Sequence, residues 1–336
     1  GKGRMVDLLS ADYDIVCRYQ GGNNAGHTVI NDHGKIVLNL LPSGISREGT
    51  VNVMGNGMVI DLEHLVHEIQ SLREKGIHIG PDNLKISDKA VICLPWHKMQ
   101  DIMEEDRLKD KKFGSTRRGI GPVYADKYMK KAVRMGDLFA PDKLPEKVAD
   151  LTEWKNLTVR GYGHEPVKAE DILAWLHEFG DPIKPYITDV SDYLYDAAAA
   201  GENIMFEAQL GALRDIEFGI YPYTSSSCTL AGYAPIGAGI PGLKLDKIIC
   251  IMKAYSSCVG EGPFTVEMFG DEAEALRRAG GEYGAATGRP RRVGAFDVPA
   301  SRYGVRMHGA DCVALTKLDV LSYMEKIPVC VAYDIN

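Results

Sequence analysis

The chain has 336 residues, is 45% hydrophobic and 25% charged, and carries a formal net charge of -7 from 39 basic and 46 acidic residues. That is the balance of a soluble globular protein with one large core or two ordinary ones, and it argues against nucleic acid as a partner, which calls for a basic excess. No apolar run reaches the ~18 residues of a membrane helix, and the seven scattered cysteines, none in a Cys-x-x-Cys pair, read as reduced residues of a cytoplasmic protein with no membrane partner.

In chain order, Gly1-Lys2-Gly3-Arg4 runs directly into the helical apolar spacing of Met5, Val6, Leu8 and Leu9. This is like the last part of a phosphate-binding loop, where free N–H groups and the helix dipole favour an anion. The full G-x-x-x-x-G-K-[ST] pattern is absent, and a frayed terminus accounts for the same residues. Residues 13–17 predict a strand. After it comes Tyr-Gln-Gly-Gly-Asn-Asn-Ala-Gly-His-Thr at 19–28, whose glycines and asparagines suit positive φ and close approach to a ligand. His27 is the one side chain there that moves a proton near neutral pH.

Residues 35–41 and 51–60 read as strands, the second interrupted by Gly55-Asn56-Gly57. Asp61 is placed to cap a helix with Leu62, Leu65, Val66, Ile69 and Leu72 on one face. Another strand is expected at 90–94 and a charged amphipathic helix at 96–112. Gly114-Ser115-Thr116-Arg117-Arg118-Gly119-Ile120-Gly121-Pro122 is a phosphate cradle or a solvated basic turn. Residues 141–200 hold Pro-rich turns and two or three helices, a helical lobe inserted beside the main sheet.

Residues 203–207 form a strand with Gln209 and Asp215 at its carboxyl end, the edge where open α/β sheets bind ligands. A hydroxyl-rich loop follows at 221–227, and a strand at 247–254 runs into Tyr255-Ser256-Ser257-Cys258-Val259-Gly260. Three arginines beside two glycines and a threonine at 283–292 suit an anion, carboxylate or phosphate. The last strand, 312–316, ends in Lys317-Leu318-Asp319, where the Asp can accept from the guanine ring N–H and amine while the Lys stem covers the base. The alternation of strand and helix predicts an α/β fold with a largely parallel sheet covered by helices on both faces.

These clusters, in this order, resemble adenylosuccinate synthetase. The likeness spans nearly the whole chain through 18–28, 118–122, 221–223, 253–255, 287–292 and 316–319. It implies a P-loop-NTPase-like single domain and a GTP-dependent ligation of IMP and L-aspartate through a 6-phosphoryl intermediate, with Mg²⁺, in a homodimer. Residue by residue, it implies His27 as general acid and the Gly26 carbonyl as metal ligand. It assigns IMP to Asn24, Thr116, Lys130, Gln209, Ser225 and Arg289, and aspartate to Thr287, Arg289 and Arg291. GTP falls to Lys2, Gly3, Arg291, Lys317 and Asp319.

The departures are Arg117 for a common Gly, Lys130 for an Arg that reaches across the dimer, and Ser225 for Thr. Leu210 displaces Gln209 by one position, Cys258 replaces Arg, and Pro290 replaces Arg. The family also carries an Asp base in a segment ahead of the position of Gly1 and continues past Asn336. The domain is therefore expected to be incomplete at both termini, and residues 1–336 alone inactive. Two other readings remain: a different GTP-binding phosphotransferase, which leaves His27 and the arginines at 289–292 unexplained, and a non-catalytic nucleotide-binding module.

Overall fold

The computed structural model describes residues 2–31, 34–283, 288 and 290–334. Its centre is a five-stranded parallel sheet in the spatial order Ile187–Thr188, Leu84–Ser87, Val51–Met54, Ile15–Arg18, Ile204–Glu207. The strands read as near-continuous apolar runs because both faces are covered. Ile15 and Cys17, with Val53, pack against Val190, Leu194 and Ala197 of the helix Val190–Ala199. On the other face Met54, Leu84 and Ile86 pack against Leu62, Leu65, Ile69 and Leu72 of the helix Leu62–Arg73. Asp61 caps that helix, as expected, with its side chain accepting from the His64 N–H at 3.3 Å. The expected α/β sheet with helices on both faces is the observed one.

A second parallel ladder pairs Ile249–Lys253 with Cys312–Thr316. Helices Gly270–Gly280 and Val298–His308 lie between those strands in the chain, the second capped by Asp297. Helices Leu144–Gly161, Ala169–Gly180 and Val190–Ala199 fill the stretch read as a helical lobe. All seven cysteines are free thiols.

Register fixes what meets at the carboxyl edge of the sheet. Arg18 lies opposite Glu207 across one parallel pair and opposite Met54 across the other. Side chains at paired positions of a parallel sheet point to the same face. The loop 19–28 leaves the sheet at that edge, with Arg18 behind it and Glu207 beside it.

Candidate active site

A cleft of about 2430 Å³ runs between the main sheet and the second ladder along the strands Ile204–Glu207 and Ile249–Lys253, and its lining takes in Asn23, Asn24, Ala25 and Gly26 at the carboxyl edge. Segments far apart in the chain supply its polar wall. Lys2, Asn24, Gly26, Thr116, Ser225 and Arg291 all line it.

His27 opens the strand His27–Asn31 and is gripped from two sides. A Cβ at Gly3 would overlap the imidazole, so the helix Lys2–Leu9 can approach the ring only through a glycine. On the other side Nε2 lies 2.6 Å from Ser43 Oγ and 3.5 Å from Glu207 Oε1. The Ser43 hydroxyl donates to Glu207 Oε1 at 2.7 Å, and the Ser43 N–H donates to Oε2 at 2.8 Å. Burial lowers the His27 pKa below its ordinary value; Glu207 opposes the shift, and Arg18 and Lys2 add to it. The ring is therefore neutral at pH 7.

Lys2 donates its ammonium to the Leu210 carbonyl, and burial brings its pKa down to about 8 despite Glu207. Arg18 is buried, donating to the Asn39 carbonyl at 2.5 Å. Glu68 completes this layer by accepting the backbone N–H groups of Asn39 and Leu40 at 2.9 Å.

Gln209, expected to touch a ligand, is instead buried and serves the loop. Its amide donates to the Gly22 carbonyl at 3.0 Å and to Ala25 at 3.2 Å, leaving Oε1 buried without a partner. Asn24 stays in the same loop, accepting from the Gly22 N–H at 3.3 Å. The loop 113–119 is strapped to the helix Pro95–Leu108 by two carboxylates. Glu105 accepts the N–H groups of Phe113 and Gly114 at 3.1 Å, while Asp101 takes Ser115 Oγ at 2.6 Å and the Gly119 N–H at 2.8 Å. Thr116 is left exposed toward the cleft. Ser225 is held by its N–H to the Arg214 carbonyl at 2.8 Å. Lys130 lies outside the cleft, exposed and in a left-handed conformation of φ 62°.

Arg291 and Lys317 converge on Glu282, at 2.9 Å and 3.5 Å respectively. Lys317 also donates to the Gly280 carbonyl at 2.5 Å, and Asp319 follows it as an exposed carboxylate at the carboxyl end of Cys312–Thr316. Neither Lys317 nor Asp319 lines the cleft itself. Thr287 and Arg289 lie outside the described residues.

A sequence profile of adenylosuccinate synthetase matches residues 1–336. The chain belongs to the adenylosuccinate synthetase family. It is 44% identical to the adenylosuccinate synthetase of Caldanaerobacter subterraneus subsp. tengcongensis over 337 residues, covering 100% of this chain and 79% of that one. Against the Lactococcus lactis subsp. lactis enzyme it is 42% identical, covering 99% of this chain and 77% of the relative. The fully ligated adenylosuccinate synthetase of Plasmodium falciparum superposes with a TM-score of 0.88 at 36% identity, over 97% of this chain and 76% of that one. A cyanophage S-2L succinoaminodeoxyadenylate synthetase shares the fold at a TM-score of 0.64 and 20% identity, over 96% of this chain and 84% of that one. As an adenylosuccinate synthetase the chain is a GTP-dependent ligase of IMP and aspartate in the AMP branch of purine biosynthesis. Among the described residues no helix is long and apolar enough to cross a membrane.

Ser43, Glu207 and Glu282 escaped the sequence reading. Glu207 had one local signal, a carboxylate closing the apolar strand Ile204–Glu207. Nothing local marks Glu282 or Ser43 as a meeting point.

Proposed function

We propose that this cleft performs the ligation in two displacements, with His27 at the reacting oxygen. In the first, the γ-phosphoryl of GTP passes to the 6-oxygen of IMP, whose N1 gives up its proton to a base, and the bond to GDP breaks. In the second, the aspartate amine attacks C6 and loses a proton, and the 6-oxygen leaves as phosphate. An amide-like oxygen is a poor leaving group until phosphorylated, and phosphoryl transfer depends mainly on positioning and charge stabilisation. The observation that carries the reading is the assembly of one polar wall from Lys2, Asn24, Gly26, Thr116, Ser225 and Arg291, with His27 fixed immediately behind Gly26.

Nε2–H of His27 is committed to Ser43, so the ring acts on the 6-oxygen through Nδ1, which donates there once it has taken up a proton. Burial keeps the ring neutral in the empty site, and an anionic phosphoryl group arriving beside it raises its proton affinity at the moment an acid is needed. Asn24, Thr116 and Ser225 orient IMP, assisted by Arg289. Gln209 acts through the loop it holds. Thr287, Arg289 and Arg291 take the aspartate carboxylates. Lys2, Gly3 and Arg291 face the GTP phosphates, and Lys317 with Asp319 reads guanine.

Mg²⁺ fits this site as an ion shared with nucleotide phosphates, which asks few oxygens of the protein. Gly26 is exposed in the cleft wall, where its carbonyl would serve as the protein's oxygen ligand; a Cβ there would press on the end of the Asn39 side chain at 2.7 Å. When bound, the ion neutralises phosphate charge. Lys130 completes the IMP site of a second copy of the chain in a homodimer. Tyr128 and Met129 beside it, 73% and 58% exposed, suit such a contact. The chain is one α/β domain with a helical lobe at 141–200, and works in the cytoplasm.

Calorimetry and kinetics on the intact protein test this. IMP and GTP should bind simultaneously, and His27→Asn should lower kcat by roughly 10²–10⁴-fold with IMP affinity within about twofold. Competition between IMP and GTP for one site, or near-normal turnover by His27→Asn, would sink the reading.

A further inference from the structure

Glu282 collects more charge than any structural ion pair requires. Its carboxylate is fully buried, at 0% exposure. Oε1 accepts from Tyr255 Oη at 2.6 Å and Lys253 Nζ at 2.7 Å, with Lys317 Nζ at 3.5 Å. Oε2 accepts from Arg291 Nη1 at 2.9 Å, and the Arg291 N–H donates to the Glu282 carbonyl, also at 2.9 Å. Burial alone would raise the carboxyl pKa; Lys253, Tyr255 and Arg291 override it and bring it down to about 2. The carboxylate is therefore a permanent anion under any working condition.

Two features point beyond packing. Three cations share one carboxylate, so the cluster keeps a positive excess that a self-contained salt bridge would not have. Arg291 also lines the cleft while its Nε is buried without a hydrogen-bond partner. The rest of the Arg291 side chain is 29% exposed at the cleft wall, and Glu282 engages the guanidinium through Nη1, which leaves fork donors there for an incoming anion.

We propose that Glu282 is a positioning residue for the purine nucleoside triphosphate: it holds Arg291 by one nitrogen, leaving the rest of the fork for an anion, and draws Lys317 into the same grip. This rests on the assignment of Arg291 and Lys317 to GTP made above. Lys317 stands at the end of the strand paired with Ile249–Lys253, and Lys253 ends that strand, so one carboxylate ties both strand ends to the arginine segment. The spacing between the phosphate-binding and base-reading groups is then fixed before the nucleotide arrives. Preorganisation of this kind shows in substrate binding rather than in bulk stability alone.

The test is steady-state kinetics on the intact protein, with melting temperature measured alongside. Glu282→Gln keeps the shape and removes the charge. It should raise KM for GTP about tenfold or more while KM for IMP stays within about twofold. Glu282→Asp keeps the charge and shortens the reach, and should fall between wild type and Gln; it replaces the Gln variant if that one fails to fold. Arg291→Ala and Lys317→Ala serve as controls and should each raise KM for GTP. If they do and neither Glu282 variant shifts GTP selectively, the positioning role is overturned on its own. If KM for GTP and IMP rise together in step with a lost melting temperature, and Asp rescues nothing, Glu282 is only structural. If neither control affects GTP, the underlying assignment of GTP contacts has failed and the inference goes with it.

Discussion

At the scale of single residues, the decisive contact is the one His27 makes with Ser43. The Ser43 hydroxyl has one proton, and it is committed to Glu207 Oε1 at 2.7 Å. Its oxygen must then accept from His27 Nε2, 2.6 Å away, which assigns the proton to Nε2 and leaves Nδ1 with a lone pair. Ser43 is itself completely buried and held a second time through its own N–H to Glu207. Ser43→Ala therefore removes the orienting bond with little disturbance of the backbone. The expected result is a loss of about 1 kcal/mol of stability in denaturant titration, the net worth of a typical hydrogen bond. A fall of about tenfold in kcat should accompany it, with KM for IMP and GTP nearly unchanged, because a misoriented acid affects the transition state and not substrate binding. A kcat equal to wild type would mean that Ser43 does not orient the ring.

At the scale of elements, the helix Ile120–Tyr128 sits between two non-glycine residues in left-handed conformations, Arg117 at φ 57° before it and Lys130 at φ 62° after it. Glycine is the usual occupant of such a position after a helix, and an L side chain there costs roughly 1–2 kcal/mol. Lys130→Gly should raise stability, by up to about 1 kcal/mol once the greater freedom of glycine in the unfolded chain is counted. If Lys130 also reaches the IMP site of a partner copy, the same variant should raise KM for IMP. A lowered denaturation midpoint would contradict the strain argument, and an unchanged KM would contradict the IMP contact. Elements like these differ in how legible they are. Cys312–Thr316 was readable residue for residue because its apolar run ends in a charged turn. The helix expected over 96–112 ends at Leu108, since Lys109 adopts φ 50°, and nothing in that run of charges marks the break. The strand expected at 90–94 shrinks to Val91–Ile92, which pairs with Val59–Ile60 and, by a single bridge, with Arg134. In the site, loops rich in glycine and arginine announced themselves locally. The groups they rely on did not: Ser43 and Glu207 are 164 positions apart, and they meet where the turn Ser43–Ser46 folds over the end of the strand Ile204–Glu207.

At the scale of the whole molecule, four histidines give the protein a common response to acid. His27, His64, His97 and His308 all have pKa values lowered from the ordinary value of 6.5, with burial the leading cause in each. The bonding of two of them supports the direction. His97 Nδ1 accepts the Leu94 N–H at 2.9 Å, and His308 Nδ1 accepts the Ala231 N–H at 3.1 Å; a protonated ring would lose either bond. The unfolded chain takes up these protons as pH falls through about 6.5, and the folded chain does not until lower pH. Below 6.5 the unfolded state therefore binds more protons, and stability falls as pH falls. Glu282, held at about 2, contributes stability that is present above its unfolded value of 4.5 and is lost only as pH drops from there toward 2. Between those two windows the histidines set the slope, each giving at most about 1.4 kcal/mol per pH unit. Denaturant midpoints should thus decline more steeply from pH 6.5 to 5 than from 7.5 to 7, and His308→Gln should flatten the steeper decline by close to one proton. A midpoint that held steady down to pH 5 would mean the buried rings find a way to carry charge inside the fold.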